Sequence, residues 1–394
     1  MAKITVLHVL ADLALGGGQS IVMQHLRYAD LERFDVRVAS LGPDATLAPW
    51  FAEAGAPPVF IDVAGQGHLG SVVQAIEHVS GADVVHVHTE LARDNVGAAA
   101  LWCGVPVVFH LHSEWVHLGR RVPPGTPPLR RARKACVNRC RTFIERSTVA
   151  HYVAGSQAVA TQFRPLVKQP ITVLEPSVPI DAIADARAAG AGEPVRAALG
   201  IEPGARVLLS VARVAECKGH AELLEVFEVL AARHPDVVLV MVGDGLGFDW
   251  LADEVEAHPA RDRIRLTGAR LDVPNFLAMA DVFVHASSTE AFGLVVLEAM
   301  AASLPVVAFD LPAYDDFVVP GKTAELVPKG DIGALTEAVS ALLEDPYRAA
   351  RLGQCGEALV RTQHPRDAVA RHFEAVYTDV VARGAADFSV ALVG

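Results

Sequence analysis

The sequence lacks the features that mark several large classes of protein. Its five cysteines form no CxxC pair and no zinc-ligand spacing, which argues against a disulfide scaffold and a zinc finger. No run of about 18 apolar residues is uninterrupted, so we expect no transmembrane helix. His8 and Asp12 interrupt the apolar N-terminal run, which therefore predicts a first strand rather than a secretory signal. Together these absences predict a cytoplasmic protein with reduced thiols.

Positive charge is also scarce. The chain has 46 acidic and 34 basic residues and a formal net charge of −12. Because polyanions are attracted to net positive surfaces, this balance argues against nucleic acid as a partner. One segment departs from it, the Arg- and Lys-rich stretch from Arg120 to Arg146. Its apolar residues fall at helical spacing: Leu129, Ala132, Cys136, Cys140, Phe143 and Ile144. The segment predicts an amphipathic helix with solvated arginines; peripheral contact with the anionic inner face of a membrane is the alternative.

The alternation of apolar runs predicts the fold class. At 394 residues the chain exceeds the size at which one core keeps growing, so we expect two domains. Short β-branched runs alternate with longer helical patterns, as in parallel α/β sheets. The first half contains the predicted strands Ile4–Leu10, Asp35–Ser40, Pro58–Ile61, Val84–His88, Val105–Leu111, Ala150–Val153 and Ile171–Val173. The second half restarts the alternation with Val207–Val211, Val237–Val242, Ile264–Thr267, Val282–Ala286 and Pro305–Phe309.

A stretch without periodicity, EPSVPIDAIADARAAGAGEP, lies between the two sets of strands and predicts a linker. The last helical pattern, roughly residues 366–382, spaces Val369, Phe373 and Val376 for one buried face. We therefore predict an N-terminal domain over residues 1–177, a C-terminal domain over 178–365 and a terminal helix within 366–394. The spacing alone does not assign that helix to either domain.

Two carboxylates, Glu290 and Glu298, stand in the otherwise apolar stretch SSTEAFGLVVLEAMAASLPVV. A strand ending near residue 286 and a helix starting near Gly293 place Glu290 in the loop and Glu298 in the second helical turn. The free N–H groups of Phe292, Gly293 and Leu294 would then favour an anion such as a pyrophosphate. A carboxylate in an apolar helix needs partners. For Glu298 these are either ribose hydroxyls or a protein cation or amide.

Two further loops follow predicted strands and point to the same crevice. SVARVAECKGHAELLEVF places Arg213 and Lys218 after one strand, and VMVGDGLGFDWL places Gly243, Asp244 and Gly245 after the next. An Arg fork and a Lys point charge together suit a diphosphate.

The N-terminal half has a glycine loop and many histidines. Residues 16–18 are all Gly but lack the third Gly of the dinucleotide-binding motif, which argues against hydride transfer. Alternation puts His86 and His88 on one face of a strand, and His110 and His112 on one face of another. Ordinary strand-end histidines, a ligand contact and a structural metal are the three interpretations. We favour the absence of a metal, because the loops above already offer cationic phosphate ligands.

Several of these motifs, in this order, resemble the retaining glycosyltransferases of family 4. They are GGGQ at 16–19, VFHLHSE with His112, Arg213 with Lys218, GDG at 243–245, and the two glutamates with FG between them. The resemblance covers nearly the whole chain. It implies the GT-B fold: two doubly wound, Rossmann-like α/β domains facing a central cleft, with the terminal helix crossing back to the N-terminal domain. A nucleotide sugar would bind the C-terminal domain and the acceptor mainly the N-terminal one.

The resemblance also implies residue roles. Glu298 would hold the ribose, and Arg213 and Lys218 the diphosphate. Backbone amides of residues 292–294 would meet phosphate and sugar, and Glu290 would bond the sugar hydroxyls. His112 would contact the sugar near the reacting carbon. The remaining donor-site residues are Gly16, Gly17, Gly243, Asp244 and, facing the base, Arg270. Gln19 stands where many relatives have Glu and would face the acceptor.

The implied activity is transfer of a sugar from a UDP-sugar to a hydroxyl with retention of configuration, without a metal or other cofactor. We favour front-face transfer, in which the leaving phosphate takes the acceptor's proton. The acidic residues Glu90, Asp94 and Glu114 suit a cationic acceptor such as an aminocyclitol; a lipid or a glycan is the alternative. A nucleotide-sugar epimerase or phosphorylase of the same fold, or a non-catalytic sugar-nucleotide-binding partner, are the competing hypotheses.

Overall fold

The computed structural model describes residues 3–62, 67–90, 92–112, 128–174 and 176–387. The chain divides into two compact units. The first is formed by the described parts of Met1–Pro176 and Asp367–Gly394, and the second by Ser177–Arg366. The boundaries predicted from the sequence, after residues 177 and 365, each fall one residue from these positions.

The described strands of the first unit form one parallel sheet. They are β1 (Ile4–Leu10), β2 (Phe34–Ser40), β3 (Val59–Phe60), β4 (Val84–Val87), β5 (Val107–Leu111), β6 (Val149–Ala154) and β7 (Ile171–Val173), in the order β3-β2-β1-β4-β5-β6-β7. The helices are α1 (Gly17–Tyr28), α2 (Ala48–Glu53), α3 (Gly67–Val79), α4 (Ala92–Cys103), α5 (Pro128–Thr148), α6 (Gln157–Phe163) and, from the end of the chain, α15 (Ala368–Asp387). In α15, Val369, Phe373 and Val376 are buried against this unit, where the helix contacts α1, β1 and β4.

The second unit repeats the architecture. Its parallel strands are β8 (Arg206–Val211), β9 (Val237–Val242), β10 (Ile264–Leu266), β11 (Val282–His285), β12 (Val306–Phe309) and β13 (Glu325–Val327), in the order β10-β9-β8-β11-β12-β13. Its helices are α7 (Ile180–Ala188), α8 (Gly192–Ala198), α9 (His220–Arg233), α10 (Phe248–Ala257), α11 (Val273–Met279), α12 (Leu294–Ala301), α13 (Ile332–Glu344) and α14 (Pro346–Gln363). The predicted fold class, two doubly wound parallel sheets, is confirmed.

Burial on both faces explains why the strands are almost continuously apolar. In β8, Val207 and Leu209 belong to the core on one side of the sheet, whereas Leu208 belongs to the core on the other side. Helices cover both cores, so the ligand-accessible part of such a sheet is the edge where the strands end. In both units the first strand lies next to the fourth, β1 beside β4 and β8 beside β11. This is the switch point at which doubly wound sheets open a crevice beyond the carboxyl ends of their strands.

Three predictions about local structure were wrong. The predicted linker includes the boundary between the units, but it is not irregular: it contains α7 and the first residues of α8. In α7, Ile180, Ile183 and Ala186 repeat at helical spacing and are buried. Strand β13 was missed, because it starts with the charged Glu325 and only its last residue is fully buried. In α5 the expected apolar face is not the buried one: Cys136, Cys140 and Phe143 are exposed.

The buried side of α5 faces its own unit through other residues. Glu145 is buried and accepts a hydrogen bond from the Tyr152 hydroxyl at 2.8 Å. Among the described residues, no helix combines the length and the apolarity that crossing a bilayer would need.

Candidate active site

The loops that follow β8 and β11, at the switch point of the second unit, are tied together by hydrogen bonds. The backbone oxygen of Cys217 accepts from the Ser288 N–H at 2.8 Å and from the Ser287 and Ser288 hydroxyls at 3.1 Å each. These bonds fix the position of the neighbouring residue, Lys218, relative to the β11 loop. The crevice is therefore lined by two loops that hold each other in place.

Glu290 is the centre of this arrangement. Its Oε1 atom accepts a hydrogen bond from Lys218 Nζ at 2.6 Å and lies 2.8 Å from His285 Nε2. His285 is the last residue of β11 and is almost completely buried. Burial alone would raise the pKa of Glu290, but the hydrogen bond and charge of His285, and then those of Lys218, lower it to about 2. Glu290 is thus ionised throughout the physiological range.

Two more titratable side chains surround this centre. His220 begins α9, and burial, with the charges of His285 and Lys218, lowers its pKa to about 4. The hydroxyl of Tyr314 is buried and has no hydrogen-bond partner among the described residues; burial, and then the charge of Glu290, raises the pKa of Tyr314. Because most buried polar groups are hydrogen-bonded, the Tyr314 hydroxyl is a candidate partner for a ligand.

Glu298 lies in the second turn of α12, as predicted. Its carboxylate makes no hydrogen bond or ion pair with any residue that the structure describes, and it is half-buried. Burial raises the pKa of Glu298 from 4.5 to about 7. No protein cation among the described residues is therefore the partner of Glu298. A carboxylate in this state is available to accept hydrogen bonds from a ligand.

The N-terminus of α12 begins in the same loop. Gly293 precedes the helix with φ of 90°, and a Cβ atom there would lie 2.5 Å from Tyr314 Cε1. Only glycine fits both conditions. The Gly293 oxygen accepts the N–H groups of residues 296 and 297, whereas the N–H groups of Phe292, Gly293 and Leu294 have no partner among the described residues. The predicted anion-binding amides are therefore unengaged.

The loop after β9 packs against the loop after β8. The N–H of Val214 donates to the Asp244 oxygen at 2.9 Å, and a Cβ atom on Gly243 would lie 1.8 Å from the Ala212 oxygen. The side chain of Arg213 is exposed and makes no bond with a described residue. Its loop is held against the loop after β9, and its five donors are available.

Two predicted contacts are already engaged with neighbours in the chain. Arg270, expected to face the base, makes a paired hydrogen bond with Asp272 at 2.9 and 3.0 Å. Gln19, expected to face the acceptor, donates from Nε2 to Asp12 at 3.0 and 3.1 Å. Either side chain would have to exchange these bonds in order to bind a ligand.

In the first unit, His112 follows β5 and meets the glycine loop. Gly16 and Gly17 are exposed at the start of α1, and a Cβ atom on Gly18 would lie 3.5 Å from His112 Nε2. The same nitrogen lies 3.1 Å from His88 Nδ1. The structure therefore brings together the glycine loop and His112, which are far apart in sequence.

The acidic residues expected to suit a cationic acceptor are not all free. Both carboxylate oxygens of Asp94 bond the guanidinium of Arg141. Glu90 is engaged as well, and Glu114 lies outside the described residues. Asp94 would therefore have to exchange its bonds to Arg141 in order to bind a cationic acceptor.

Both halves of the chain match known families. Residues 15–182 match the model described as Glycosyltransferase Family 4, and residues 193–358 match the one described as Glycosyl transferases group 1. The chain belongs to glycosyltransferase family 4. The two matched ranges correspond to the first and second units of the structure.

Relatives of this family 4 chain have varied names. Glycogen synthase of Mycobacterium tuberculosis is 32% identical over 173 residues, which are 43% of this chain and 42% of that protein. Alpha-D-kanosaminyltransferase of Streptomyces kanamyceticus is 28% identical over 176 residues, 44% of this chain and 46% of that protein. The chain thus spans less than half the length of these two relatives. Alpha-monoglucosyldiacylglycerol synthase of Acholeplasma laidlawii is 25% identical over 76% of each chain.

Solved structures show the same fold. Anabaena HepE, in complex with UDP and glucose, has a TM-score of 0.79 and 20% identity, covering 95% of this chain and 100% of that chain. WaaG, a glycosyltransferase involved in lipopolysaccharide biosynthesis, has a TM-score of 0.70 and 19% identity over 93% and 98%. The GT-B fold implied by the motifs of this family 4 chain is confirmed.

Sequence reasoning missed His285, His220 and Tyr314 in this family 4 site. His285 ends the apolar strand VFVH. A polar residue at the end of this strand, five residues before Glu290, could have marked it as a site residue. Tyr314 comes 24 residues after Glu290, in a separate 3-10 helix, and nothing local marks it. Its proximity to Glu290 depends on the parallel order of β11 and β12.

Proposed function

We propose that this protein transfers a sugar from a UDP-sugar to a hydroxyl group of an acceptor, with retention of configuration. The observation that carries the proposal is Glu298, a half-buried carboxylate without a protein partner among the described residues, one turn beyond unengaged helix N–H groups. The two hydroxyls of a ribose could donate hydrogen bonds to this carboxylate. The UDP and glucose bound to HepE, which shares the fold, support the choice of donor.

The diphosphate binds where positive potential is concentrated. The N–H groups of Gly293 and Leu294 provide donors at the positive end of the α12 dipole. Arg213 adds an exposed guanidinium, and Lys218 an ammonium that at present bonds Glu290. Phosphate and carboxylate oxygens are both anionic acceptors. Donor binding would therefore let Lys218 bond phosphate while His285 keeps Glu290 in place for the sugar hydroxyls.

Catalysis follows from charge stabilisation. As the bond between sugar and diphosphate breaks, negative charge grows on the leaving phosphate, and Arg213 and Lys218 stabilise it. The acceptor attacks from the face that the phosphate leaves, and a phosphate oxygen takes its proton. Glu290 remains ionised and bonds the donor sugar. His112 takes the role that the family resemblance gives it, a contact near the reacting carbon. No step requires a metal.

The test begins with a thermal-shift panel of UDP-, GDP- and ADP-sugars and continues with mass detection of product. Acceptors in the panel are aminocyclitols, lipids and glycans. Lys218→Ala should lower turnover by at least 100-fold with its unfolding curve intact, whereas Lys322→Ala, an exposed lysine elsewhere in the unit, should not. Near-normal turnover of Lys218→Ala would remove its role.

Incubation of the donor alone separates the competing functions. A changed sugar without acceptor would indicate an epimerase. Donor binding with no turnover against any acceptor would indicate a non-catalytic partner. Retention is read from the anomeric coupling of the product by NMR.

The same proposal includes a membrane contact through α5. Its exposed face carries Phe143 and Cys140 beside Arg139 and Arg146. Exposed aromatic and basic side chains on one helix face suit an anionic lipid surface. Phe143→Ser should reduce flotation with anionic vesicles and leave turnover of a water-soluble acceptor unchanged. Equal flotation of variant and wild type would exclude this contact.

A further inference from the structure

One face of the first sheet carries an array of buried imidazoles. Strands β1, β4 and β5 place alternate residues on the same face. α1 adds one histidine, and Phe373 and Tyr377 of α15 cover the array. Its members are His8, His25, His86, His88, His110 and His112. All except the half-buried His112 are buried. His86 Nδ1 lies 2.6 Å from the Tyr377 hydroxyl, which also lies 3.4 Å from His8 Nε2.

Four of these rings form a continuous chain of hydrogen bonds. His25 Nδ1 lies 2.9 Å from His8 Nε2, and His8 Nδ1 lies 2.8 Å from His88 Nε2. His88 Nδ1 lies 3.1 Å from His112 Nε2. These separations are within the range of N–H···N hydrogen bonds. The chain connects the interior of the unit to the histidine next to the glycine loop.

Every ring in the chain is neutral at neutral pH. Burial lowers the pKa of His25 to about 3 and that of His112 to about 4. Burial, together with the neighbouring rings, also lowers the pKa of His8 and His88 well below 6.5. A neutral imidazole has one N–H donor and one lone pair. Each inner ring must therefore donate on one side and accept on the other, so the whole chain runs in one of two directions.

The buried end decides the direction. His25 Nε2 is buried and has no partner among the described residues. If the chain ran from His112 inward, that nitrogen would carry a buried N–H without an acceptor, which proteins avoid. If it runs from His25 outward, only a lone pair is left there. His112 Nε2 then accepts from His88, and the proton of His112 is on Nδ1.

We propose that the chain from His25 through His8 and His88 holds His112 in the tautomer protonated on Nδ1, so that His112 presents an N–H donor to its ligand. Nδ1 is the nitrogen of His112 without a bond to any described residue. Free histidine in water prefers the opposite tautomer. His8 and His88 are thus positioning residues. The consequence for catalysis rests on the proposed function: the N–H would donate to a donor-sugar oxygen.

A metal ion is the competing explanation of the same cluster. His110 favours it, because both of its ring nitrogens are buried without a partner among the described residues. However, the His110 and His112 rings are stacked at 3.9 Å and 6°, so no single ion can lie in both ring planes. The 2.8 Å between His8 and His88 is also shorter than the roughly 3.3 Å that two nitrogens take around tetrahedral zinc at about 2.0 Å each. The geometry favours the hydrogen-bonded chain.

The test reads the tautomer of His112 directly. In protein labelled with ¹⁵N-histidine, nitrogen shifts and two-bond couplings distinguish protonated Nδ1 from protonated Nε2, and His112→Asn identifies the signals. The wild type should show His112 protonated on Nδ1. His8→Leu, two rings away, should shift His112 toward the Nε2 tautomer. His8→Asn should keep the original tautomer, because its amide nitrogen can replace the Nδ1 donor.

Turnover provides a second readout. His8→Leu should lower kcat at least tenfold with the donor KM within twofold of wild type, and His8→Asn should recover most of it. If the protein shows no transfer activity, the tautomer measurement still decides. His112 protonated on Nε2 in the wild type would overturn the proposal even if His8→Leu does not fold. An unchanged His112 tautomer in folded His8→Leu would also overturn the proposal. So would one tightly bound metal ion per protein molecule, measured by elemental analysis.

Discussion

Replacement of Glu298 by Gln should stabilise the unliganded protein and weaken its binding of UDP. Burial raises the pKa of this carboxyl from 4.5 to about 7, and no described residue compensates its charge. Each pKa unit corresponds to about 1.4 kcal/mol, so ionisation at pH 8 costs the fold at most about 3.5 kcal/mol. The side chain is half-buried, and partial hydration reduces the expected gain to about 1 to 2 kcal/mol.

The sign of the pH dependence follows from the raised pKa. Below about pH 4.5 the carboxyl is protonated in both folded and unfolded protein, so Glu298→Gln should have no effect there. The cost of the charge grows between about pH 4.5 and 7 and is complete above pH 7. The variant should therefore gain about 3 to 6 °C in Tm at pH 8 and almost nothing at pH 4.5. Glu228→Gln, an exposed acid on α9, is the matched control and should change little at either pH.

The same variant should bind UDP at least about tenfold more weakly by calorimetry, because a hydrogen bond to a charged group is worth about 1.5 to 3 kcal/mol. A variant that is more stable to unfolding but binds UDP more weakly indicates that Glu298 serves ligand binding rather than stability. A lower Tm at pH 8 with unchanged UDP affinity would show that Glu298 is structural and refute the assignment.

Two further predictions concern the same site. His285→Leu should raise the pKa of Glu290, whose lowered pKa stabilises the fold above about pH 4.5 and ceases to do so as pH falls toward 2. In urea unfolding between about pH 3 and 6, the variant should lose this stabilisation at a higher pH than the wild type, whereas His285→Gln keeps a donor for Glu290. Superimposable profiles of stability against pH for His285→Leu and wild type would contradict this prediction. Gly293→Ala should lower the free energy of unfolding by about 2 kcal/mol or more and abolish UDP binding, because its Cβ meets Tyr314. The control Gly321→Ala, at φ of 71° with open space around its Cβ, should lower it by only about 1 kcal/mol. Equal losses of stability in the two variants would show that the contact with Tyr314 does not matter.

Much of the fold could be predicted because it is encoded locally. Strands buried on both faces are continuous apolar runs, and β1, β7 and β9 begin and end where the sequence predicted. β13 could not be found in this way, because it starts with the charged Glu325 and only its last residue is fully buried, so it forms no apolar run. α7 was hidden by its Pro- and Ala-rich flanks, although Ile180 and Ile183 mark its buried side.

The site was predictable to the extent that its residues follow strand ends. Glu290 and Lys218 could each be placed at the crevice, because the carboxyl ends of β8 and β11 meet there. Their direct bond could not be predicted, since it depends on the bonds to the Cys217 oxygen that hold the two loops together. The hydrogen-bonded chain of histidines could not be predicted either. Alternation along the strands predicts that these histidines share a face, but not which ring nitrogens bond to each other.

We propose that the α12 region of the second unit binds the nucleotide of the donor. A crystal structure of the full chain grown with UDP would show where the nucleotide lies. We expect ribose hydroxyls within hydrogen-bond distance of the Glu298 carboxylate and the diphosphate on the N–H groups of Gly293 and Leu294. UDP bound elsewhere, with Glu298 bonded to a protein cation, would show that Glu298 does not bind the ribose.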